Sequence, residues 1–241
     1  MKTETGKIDQ INLVNKTSAE RLYLTFDMDL AHDDIIRDTA ELLIKAQFSA
    51  TWFVTHNTPY LDKLRMHEKF ELGIHPNFNF LLNGDTRNGN SALMILNKLM
   101  LIVPEAKSVR SHSMTQSTVL LDLFRDKGIT HDVNCFIPIQ TGIEIKPWLL
   151  WNGLVRVPYC WEDDVHCMYQ LNDKIEPYLK RPGLKVFNFH PIHVYLNTEN
   201  LDRYERTRCM HQHPEELIKH RYEGYGTRNR LLEILDFVQN L

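Results

Sequence analysis

The sequence predicts an α/β fold built around a parallel sheet or barrel. From residue 21 onwards, short apolar runs rich in β-branched and aromatic residues alternate with segments of helical periodicity. Repeated strand–helix units of this kind are typical of parallel sheets, because parallel strands need long crossover connections. The length of 241 residues, 43% of them hydrophobic, is enough for one sizeable core. We therefore predict a single domain over residues 1–241.

The individual elements are predicted in chain order from the same patterns. Strands are expected at 21–26 (RLYLTF), 49–55 (SATWFVT) and 70–74, in a short run ending at Arg110, from Ile129 onwards, and at 184–189 (LKVFNF). Helices are expected at 34–47, 60–69, 89–101, 117–125 and 228–239, with Asp33 as the first N-cap and Gly128 as the fourth helix's stop. The remaining expectations are an N-terminal extension over 1–20, an irregular region over 133–183, and a flap or surface excursion over 197–229.

Charge and cysteine content exclude several classes of function. The net charge of −3 lacks the basic footprint of a nucleic-acid-binding protein. The four cysteines have no C-x-x-C spacing, which disfavours a zinc knuckle or a redox pair. The N-terminus has no apolar signal region, and the most apolar stretch, 93–103, is too short to span a bilayer. We expect a cytoplasmic protein without a membrane span.

Unusual polar side chains follow the predicted strands at the points where the strands end. They are Asp27, Asp29, His75, Arg110, His112, His131, Asp132 and His190. In parallel α/β folds the carboxyl ends of the strands converge on one face, where ligands and catalytic groups collect. Residues that are more than a hundred positions apart in the chain are therefore expected to share one cleft.

The pair Asp27-x-Asp29 carries the strongest chemical signal. Two neighbouring carboxylates repel each other unless a cation or a shared proton compensates. One interpretation is a metal ligand beside a general base, and the other is a helix N-cap beside a solvated loop acid. Because Asp33 and Asp34 already offer capping, the first interpretation is favoured.

The other strand-end residues have roles of varying specificity. His75 is placed as a ligand, with Asn79 four residues later as a weak one. Arg110 is expected to be partly buried and to need an anionic partner such as Asp27. His190 suits a general acid or base, and His193 is either a substrate contact or a structural or exposed side chain. The acidic run at 162–164 attracts a cationic substrate, holds basic residues of the cleft, or forms a solvated loop.

Five segments together resemble a known family. TFDMD (25–29), ELGIHPNFN (71–79), VRSHS (109–113), PYCWEDDVH (158–166) and FNFHPIH (187–193) are similar to motifs of the polysaccharide deacetylases, the NodB-homology group of carbohydrate esterase family 4. The set most resembles the WbmS-like branch, and the resemblance covers about residues 20–240. It implies a distorted (β/α)7 barrel and a metal-dependent carbohydrate N-deacetylase that acts in surface-polysaccharide (lipopolysaccharide) biosynthesis.

The resemblance also implies roles for individual residues. Asp27 matches the catalytic base, Asp29 the metal-binding aspartate, and His75 the first metal-binding histidine. Arg110 matches the arginine that orients the base, and His190 matches the general acid. The cofactor implied is a divalent metal ion. Zinc is favoured, and cobalt, nickel and manganese are the alternatives.

One position departs from the family pattern. Asn79 stands where the family has its second metal-binding histidine, and His112 stands where a proline is common. We infer that His112 restores a nitrogen ligand beside Asp29 and His75, with Asn79 as a weak fourth ligand or a substrate contact. His131 is a less favoured substitute for the missing ligand.

The expected partner is a carbohydrate, and the candidate contacts are Trp161 and His193. Aromatic faces suit sugar rings, so one or two of Trp148, Trp151, Tyr159 and Trp161 are expected at the substrate, although core packing explains most tryptophans. The leading hypothesis is removal of an N-acetyl group from an amino sugar or glycan. Two alternatives stay open: a deformylase or amidase acting on another small amide, and a catalytically inactive sugar-binding relative that lost its metal. Metal analysis separates the last alternative from the enzymes.

Overall fold

The computed structural model describes residues 4–15, 18, 20–171 and 173–239. Residues 1–3, 16, 17 and 19 of the predicted N-terminal extension, residue 172 and the last two residues of the predicted domain lie outside the described residues.

The described residues form ten strands in one sheet. The strands are β1 (Thr5–Gly6), β2 (Leu22–Asp27), β3 (Ala50–Val54), β4 (Phe70–Ile74), β5 (Ser108–Val109), β6 (His131–Asp132), β7 (Trp148–Leu149), β8 (Val155–Arg156), β9 (Trp161–Glu162) and β10 (Lys185–Phe189). Their order is β7-β8-β6-β5-β4-β3-β2-β10-β9, and β1 pairs with β2. Every pairing is parallel except that of β7 with β8.

Helices connect most of the strands. The α-helices are α1 (Asp33–Lys45), α2 (Leu61–Met66), α3 (Asn79–Leu82), α4 (Ala92–Ile102), α5 (Thr118–Asp126), α6 (Asp163–Met168), α7 (Glu176–Lys180), α8 (Pro191–Leu196), α9 (Leu201–Arg206), α10 (Pro214–Leu217) and α11 (Thr227–Gln239). The sheet curls into a half-barrel with the helices around it, which confirms the predicted α/β class and its distorted-barrel form.

The predicted helices agree with the observed ones to within a few residues, with one correction at a helix start. The N-cap of α1 is His32 rather than Asp33, because the Nδ1 atom of His32 accepts a hydrogen bond from the Asp34 amide at 3.2 Å. Gly128 follows α5 with φ of +83°, a backbone conformation that favours glycine and supports its predicted role as a helix stop.

A buried carboxyl group, Glu71 of β4, joins three strands below the carboxyl ends of the sheet. Glu71 accepts hydrogen bonds from the hydroxyls of Thr51 on β3 at 2.7 Å and Ser108 on β5 at 2.6 Å, and from the Asp9 amide at 3.1 Å. The segment predicted as an extension is therefore tied into the fold, and Ile8 and Ile11 pack in the core. Burial raises the pKa of Glu71 to about 7.

The predicted flap, 197–229, is a series of short helices that packs on the barrel. Asn197 fastens it by donating to the carbonyls of Tyr222 and Gly224, and Leu217 is fully buried. Within the described residues, no helix is both long and apolar enough to cross a membrane.

Candidate active site

Four of the predicted strand-end residues meet at the carboxyl ends of the central strands. Asp27 ends β2, His75 follows β4, Arg110 follows β5 and His190 follows β10. All four side chains are at most 6% exposed. The parallel sheet therefore brings together residues that are separated by up to 163 positions in the sequence, as the strand-end pattern predicts.

Asp29, His75 and His112 form a compact group of three candidate metal ligands. The Oδ1 atom of Asp29 lies 3.3 Å from Nε2 of His75 and 3.4 Å from Nδ1 of His112. Two ligands that each lie about 2.0–2.1 Å from a tetrahedral zinc ion are about 3.3–3.4 Å apart, so these separations fit one shared cation. A carboxylate and two imidazoles also form a donor set that suits zinc.

The local backbone explains how Asp29 and His112 reach this group. The strand ends at Asp27, and Asp29 has a left-handed φ of +39°, so strand geometry does not extend to Asp29. The rings of His75 and His112 lie nearly perpendicular, with centroids 5.5 Å apart. The Nδ1 atom of His75 lies 3.6 Å from Oδ1 of Asp27, so the two aspartates flank opposite nitrogens of the same ring.

The charge state of Asp29 fits a ligand role. Burial alone would raise its pKa, but hydrogen bonds with His112 and His75 and the charge of His190 outweigh burial and hold the pKa of Asp29 well below its ordinary value. Asp29 is therefore ionised at neutral pH. Its side chain is 23% exposed and that of His112 is 35% exposed, so the group is open to solvent on one side.

Two further groups in the described residues have ligand atoms within 4.8 Å of one another: Asp164 with His190 and His193, and Asp27 with Glu162 and His190. In the first, Asp164 and His193 are 2.7 Å apart, which is a hydrogen-bond distance. In the second, Asp27 and Glu162 both accept from the Asn188 amide. The geometry therefore favours the group of Asp29, His75 and His112 as the metal centre.

Asp27 is held by two donors. Its Oδ1 atom accepts from Arg110 at 3.1 Å, and its Oδ2 atom accepts from Asn188 Nδ2 at 2.8 Å. The Arg110 guanidinium lies between the rings of Phe53 and Tyr159, 4.7 and 4.5 Å from their centroids, and also donates to Asn188. This arrangement fixes the position of the Asp27 carboxylate.

His190 is held by a fully buried aspartate, Asp163, at the start of α6. One oxygen of Asp163 lies 2.7 Å from Nδ1 of His190, and the other accepts from the His190 amide at 2.7 Å. Burial opposes the charged form, but Asp164 and Asp163 outweigh it and raise the pKa of His190 well above its ordinary value. The opposite nitrogen, Nε2, then also carries a proton, and this nitrogen lies 3.5 Å from Oδ2 of Asp29.

His193 contacts protein groups through both ring nitrogens. Its Nε2 atom lies 2.7 Å from Asp164, and its Nδ1 atom lies 3.1 Å from the Thr198 hydroxyl. Because its side chain is only 3% exposed, the structure favours the structural alternative, in which His193 holds Asp164 near His190.

Asn79 and Trp161 also differ from expectation. The Asn79 amide donates to Ser113 at 3.0 Å and accepts from Thr115 at 3.1 Å, so it holds the loop after His112, a role that competes with that of a fourth ligand. Trp161 is 1% exposed and donates through Nε1 to His166 at 2.9 Å. It is a core residue, which disfavours the predicted contact with substrate.

His131 lies away from the candidate metal ligands. Its Nε2 atom is 3.0 Å from the Ile11 carbonyl and its Nδ1 atom is 2.9 Å from the Thr130 hydroxyl. Both nitrogens are thus occupied, and His131 does not replace the missing histidine.

Sequence reasoning missed Asn188 and left Asp163 and Asp164 among three open alternatives. The structure favours the alternative in which the acidic run holds basic residues of the cleft. The missed signal for Asn188 was a polar residue between two phenylalanines in FNF, in the middle of an apolar strand. A buried amide in that position requires partners, and here they are Asp27, Glu162, Arg110 and Thr25.

A cavity of about 500 Å³ opens above the candidate metal ligands, and all three line it. One wall comes from α3, α4 and the loop between them, and the other includes Tyr204 and Arg208 from the predicted flap. A larger cavity, of about 780 Å³, lies near the amino ends of β2 and β10 and is lined by none of the predicted site residues. The smaller cavity is therefore the candidate substrate site.

Comparisons with known proteins found a matching family and similar solved structures. The family described as WbmS-like polysaccharide deacetylase matches residues 24–208. A crystal structure of WbmS from Bordetella bronchiseptica, assigned as a polysaccharide deacetylase involved in O-antigen biosynthesis, is 42% identical over 97% of both chains, with a TM-score of 0.92.

A second crystal structure, assigned as a polysaccharide deacetylase from Mycobacterium smegmatis, is 16% identical and has a TM-score of 0.47, over 91% of this chain and 90% of that chain. We draw no conclusion about fold or function from a similarity at this level. No curated protein matches the chain.

Proposed function

The chain belongs to the WbmS-like family of polysaccharide deacetylases, and on this basis we propose that it is a metal-dependent hydrolase that removes an N-acetyl group from an amino sugar or glycan. The observation that carries the proposal is the spacing of Asp29, His75 and His112, at 3.3 and 3.4 Å. These three side chains would hold a divalent cation, with zinc favoured by one carboxylate and two imidazoles.

A cation at this position supplies Lewis acidity, which polarises an amide carbonyl and activates water. Asp27 is the proton acceptor in our proposal. Arg110 and Asn188 each donate to one of its oxygens, so the carboxylate is oriented before substrate arrives. The second lone pair of each oxygen remains for the proton of the attacking water.

His190 is the proton donor in the same proposal. Asp163 fixes its ring through Nδ1, so the proton on Nε2 faces the candidate metal ligands. Cleavage of the amide C–N bond needs a proton on the leaving nitrogen, and His190 supplies it at Nε2. The products are acetate and a free amino sugar, and the proton taken by Asp27 balances the one given by His190.

The relative from Bordetella bronchiseptica extends the proposal to the pathway level. That protein is assigned to O-antigen biosynthesis, and we propose surface-polysaccharide biosynthesis for this chain as well. The four cysteines are free thiols, in keeping with our expectation of a cytoplasmic protein.

Acetate release and bound metal together test the proposal. The Asp27→Asn protein should retain its metal, because Asp27 is not among the three ligands, and should lose acetate release by about a hundredfold or more. Asp126→Asn, an exposed change on α5, is the matched control. Full activity in Asp27→Asn would exclude Asp27 as the base, and wild-type protein without a stoichiometric metal would exclude the metal-dependent mechanism.

A further inference from the structure

The cavity above the candidate metal ligands has a cationic rim, defined here as Arg87, Lys98 and Arg208. The three residues come from separate parts of the chain: the loop before α4, α4 itself, and the 3-10 turn after α9. All three are exposed, and all three line the cavity that contains Asp29, His75 and His112. From this arrangement we infer that the cavity binds a sugar attached to a diphosphate group, with the diphosphate on the cationic rim.

Each rim residue keeps donor capacity for a ligand. Lys98 donates to the Asn88 carbonyl at 2.9 Å and, in the part of the chain that the structure describes, forms no ion pair. An ammonium group has three donors, so two remain. Among the described residues, Arg208 has one ion pair, with Glu205 at 3.3 Å. The Arg87 guanidinium lies over the Phe80 ring and contacts Asp85 through its Nε and Nη2 atoms. Its Nη1 atom takes no part in these contacts.

The charge of the reaction product explains why the rim needs an anion. Removal of an acetyl group leaves an ammonium group on the sugar, and three cations close to a cationic product would weaken its binding. A neutral glycan offers no compensating charge. A diphosphate carries more than one negative charge and several acceptor oxygens, which suits three cations from separate segments better than a single carboxylate does.

The wall beside Lys98 provides a place for the group beyond the diphosphate. Ile95, Leu99 and Ile102 of α4 line the cavity on the side that holds Lys98. An apolar wall next to cationic groups fits either a nucleoside or a prenyl chain attached to the diphosphate. The inference rests on the proposed deacetylase function and names its substrate class.

Calorimetric titration of the metal-containing protein tests the inference. The probes are N-acetylglucosamine, uridine diphosphate N-acetylglucosamine and farnesyl diphosphate N-acetylglucosamine. We expect at least one diphosphate sugar to bind about tenfold tighter than the free sugar or better, with an affinity that falls as salt is added. Tight binding of the uridine probe identifies a nucleotide carrier, and tight binding of the farnesyl probe identifies a lipid carrier.

Substitutions in the rim locate the diphosphate. Lys98→Gln and Arg208→Gln should each weaken binding of the diphosphate sugar about three- to tenfold, with metal content and binding of the free sugar unchanged. Lys107→Gln is the matched control, because Lys107 is exposed and precedes β5 at the opposite end of the barrel. Equal affinity for all three probes, or an equal loss in Lys107→Gln, would overturn the inference.

Acetate release separates this inference from the proposed function. If acetate is released while the rim variants bind all probes like the wild type, the diphosphate site is wrong and the deacetylase stands. If the rim variants lose diphosphate binding while no probe releases acetate, the diphosphate site stands and deacetylation of N-acetylglucosamine is excluded.

Discussion

Replacement of Glu71 by glutamine should remove a loss of unfolding free energy that the wild type suffers as the pH rises. Glu71 is buried among Thr51, Ser108 and the Asp9 amide, and burial raises its pKa from 4.5 to about 7. The folded state therefore holds a proton that the unfolded state releases above pH 4.5. The stability contributed by the protonated group is fully present below pH 4.5 and is lost as the pH rises through about 7.

The magnitude follows from the two pKa values. The difference between 4.5 and about 7 corresponds, at 1.36 kcal/mol per pH unit, to about 3 kcal/mol of unfolding free energy. Glutamine resembles the protonated acid in shape and has no charge to lose. Glu71→Gln should therefore be close to the wild type at pH 4.5 and more stable by up to about 3 kcal/mol at pH 8.

Urea denaturation at pH 4.5, 6, 7 and 8 measures this difference. Glu68→Gln is the control for the loss of one carboxyl group, because Glu68 is exposed and close in sequence. A Glu71→Gln difference that stays constant from pH 4.5 to pH 8 would refute the assignment of a buried, protonated carboxyl group at this position.

Three further substitutions test two positioning contacts and the core position of Trp161. Asp163→Asn should retain metal but slow acetate release about a hundredfold, because His190 loses its charged partner; an unchanged rate would contradict the proton-donor assignment. Asn79→Ala should weaken metal binding about tenfold, measured by competition with a chelator, since the loop after His112 loses both contacts; an unchanged affinity would exclude this role. Trp161→Phe should lower the unfolding free energy by about 1–3 kcal/mol and leave KM unchanged, whereas a raised KM would restore Trp161 as a substrate contact.

The alternation of strands and helices was sufficient to predict the fold because the central strands are long enough to show a pattern. The strands β2, β3, β4 and β10 each have five or six residues and are bounded by clear turns. The other six strands, β1 and β5 to β9, have two residues each, too few for any periodicity.

The site was predictable where the topology alone determines the position of a residue. Strand ends brought Asp27, His75 and Arg110 together without any knowledge of loop conformation. His112 approaches Asp29 from a loop whose next two residues have left-handed backbone angles, so its position depends on local geometry that residue spacing does not encode.

Side chains whose type suits two environments were harder to assign. A tryptophan in this sequence pattern is compatible with contact with a sugar and with packing in the core. In the structure, the ring centroids of Trp161 and Phe189 are 4.7 Å apart, in the core. The role of Asp163 depends on a parallel pairing between β9 and β10, which places the start of α6 beside His190. A pairing between segments about 26 residues apart leaves no local trace in the sequence.

The most direct test of the metal centre is the metal content of the purified protein, measured by plasma mass spectrometry without added metal. With Asp29, His75 and His112 as ligands, the wild type should carry about one divalent ion per chain, and His112→Ala should lose most of it because two ligands remain. An exposed histidine variant, His220→Ala, should keep the wild-type content. Equal metal content in His112→Ala and the wild type would contradict the proposed centre.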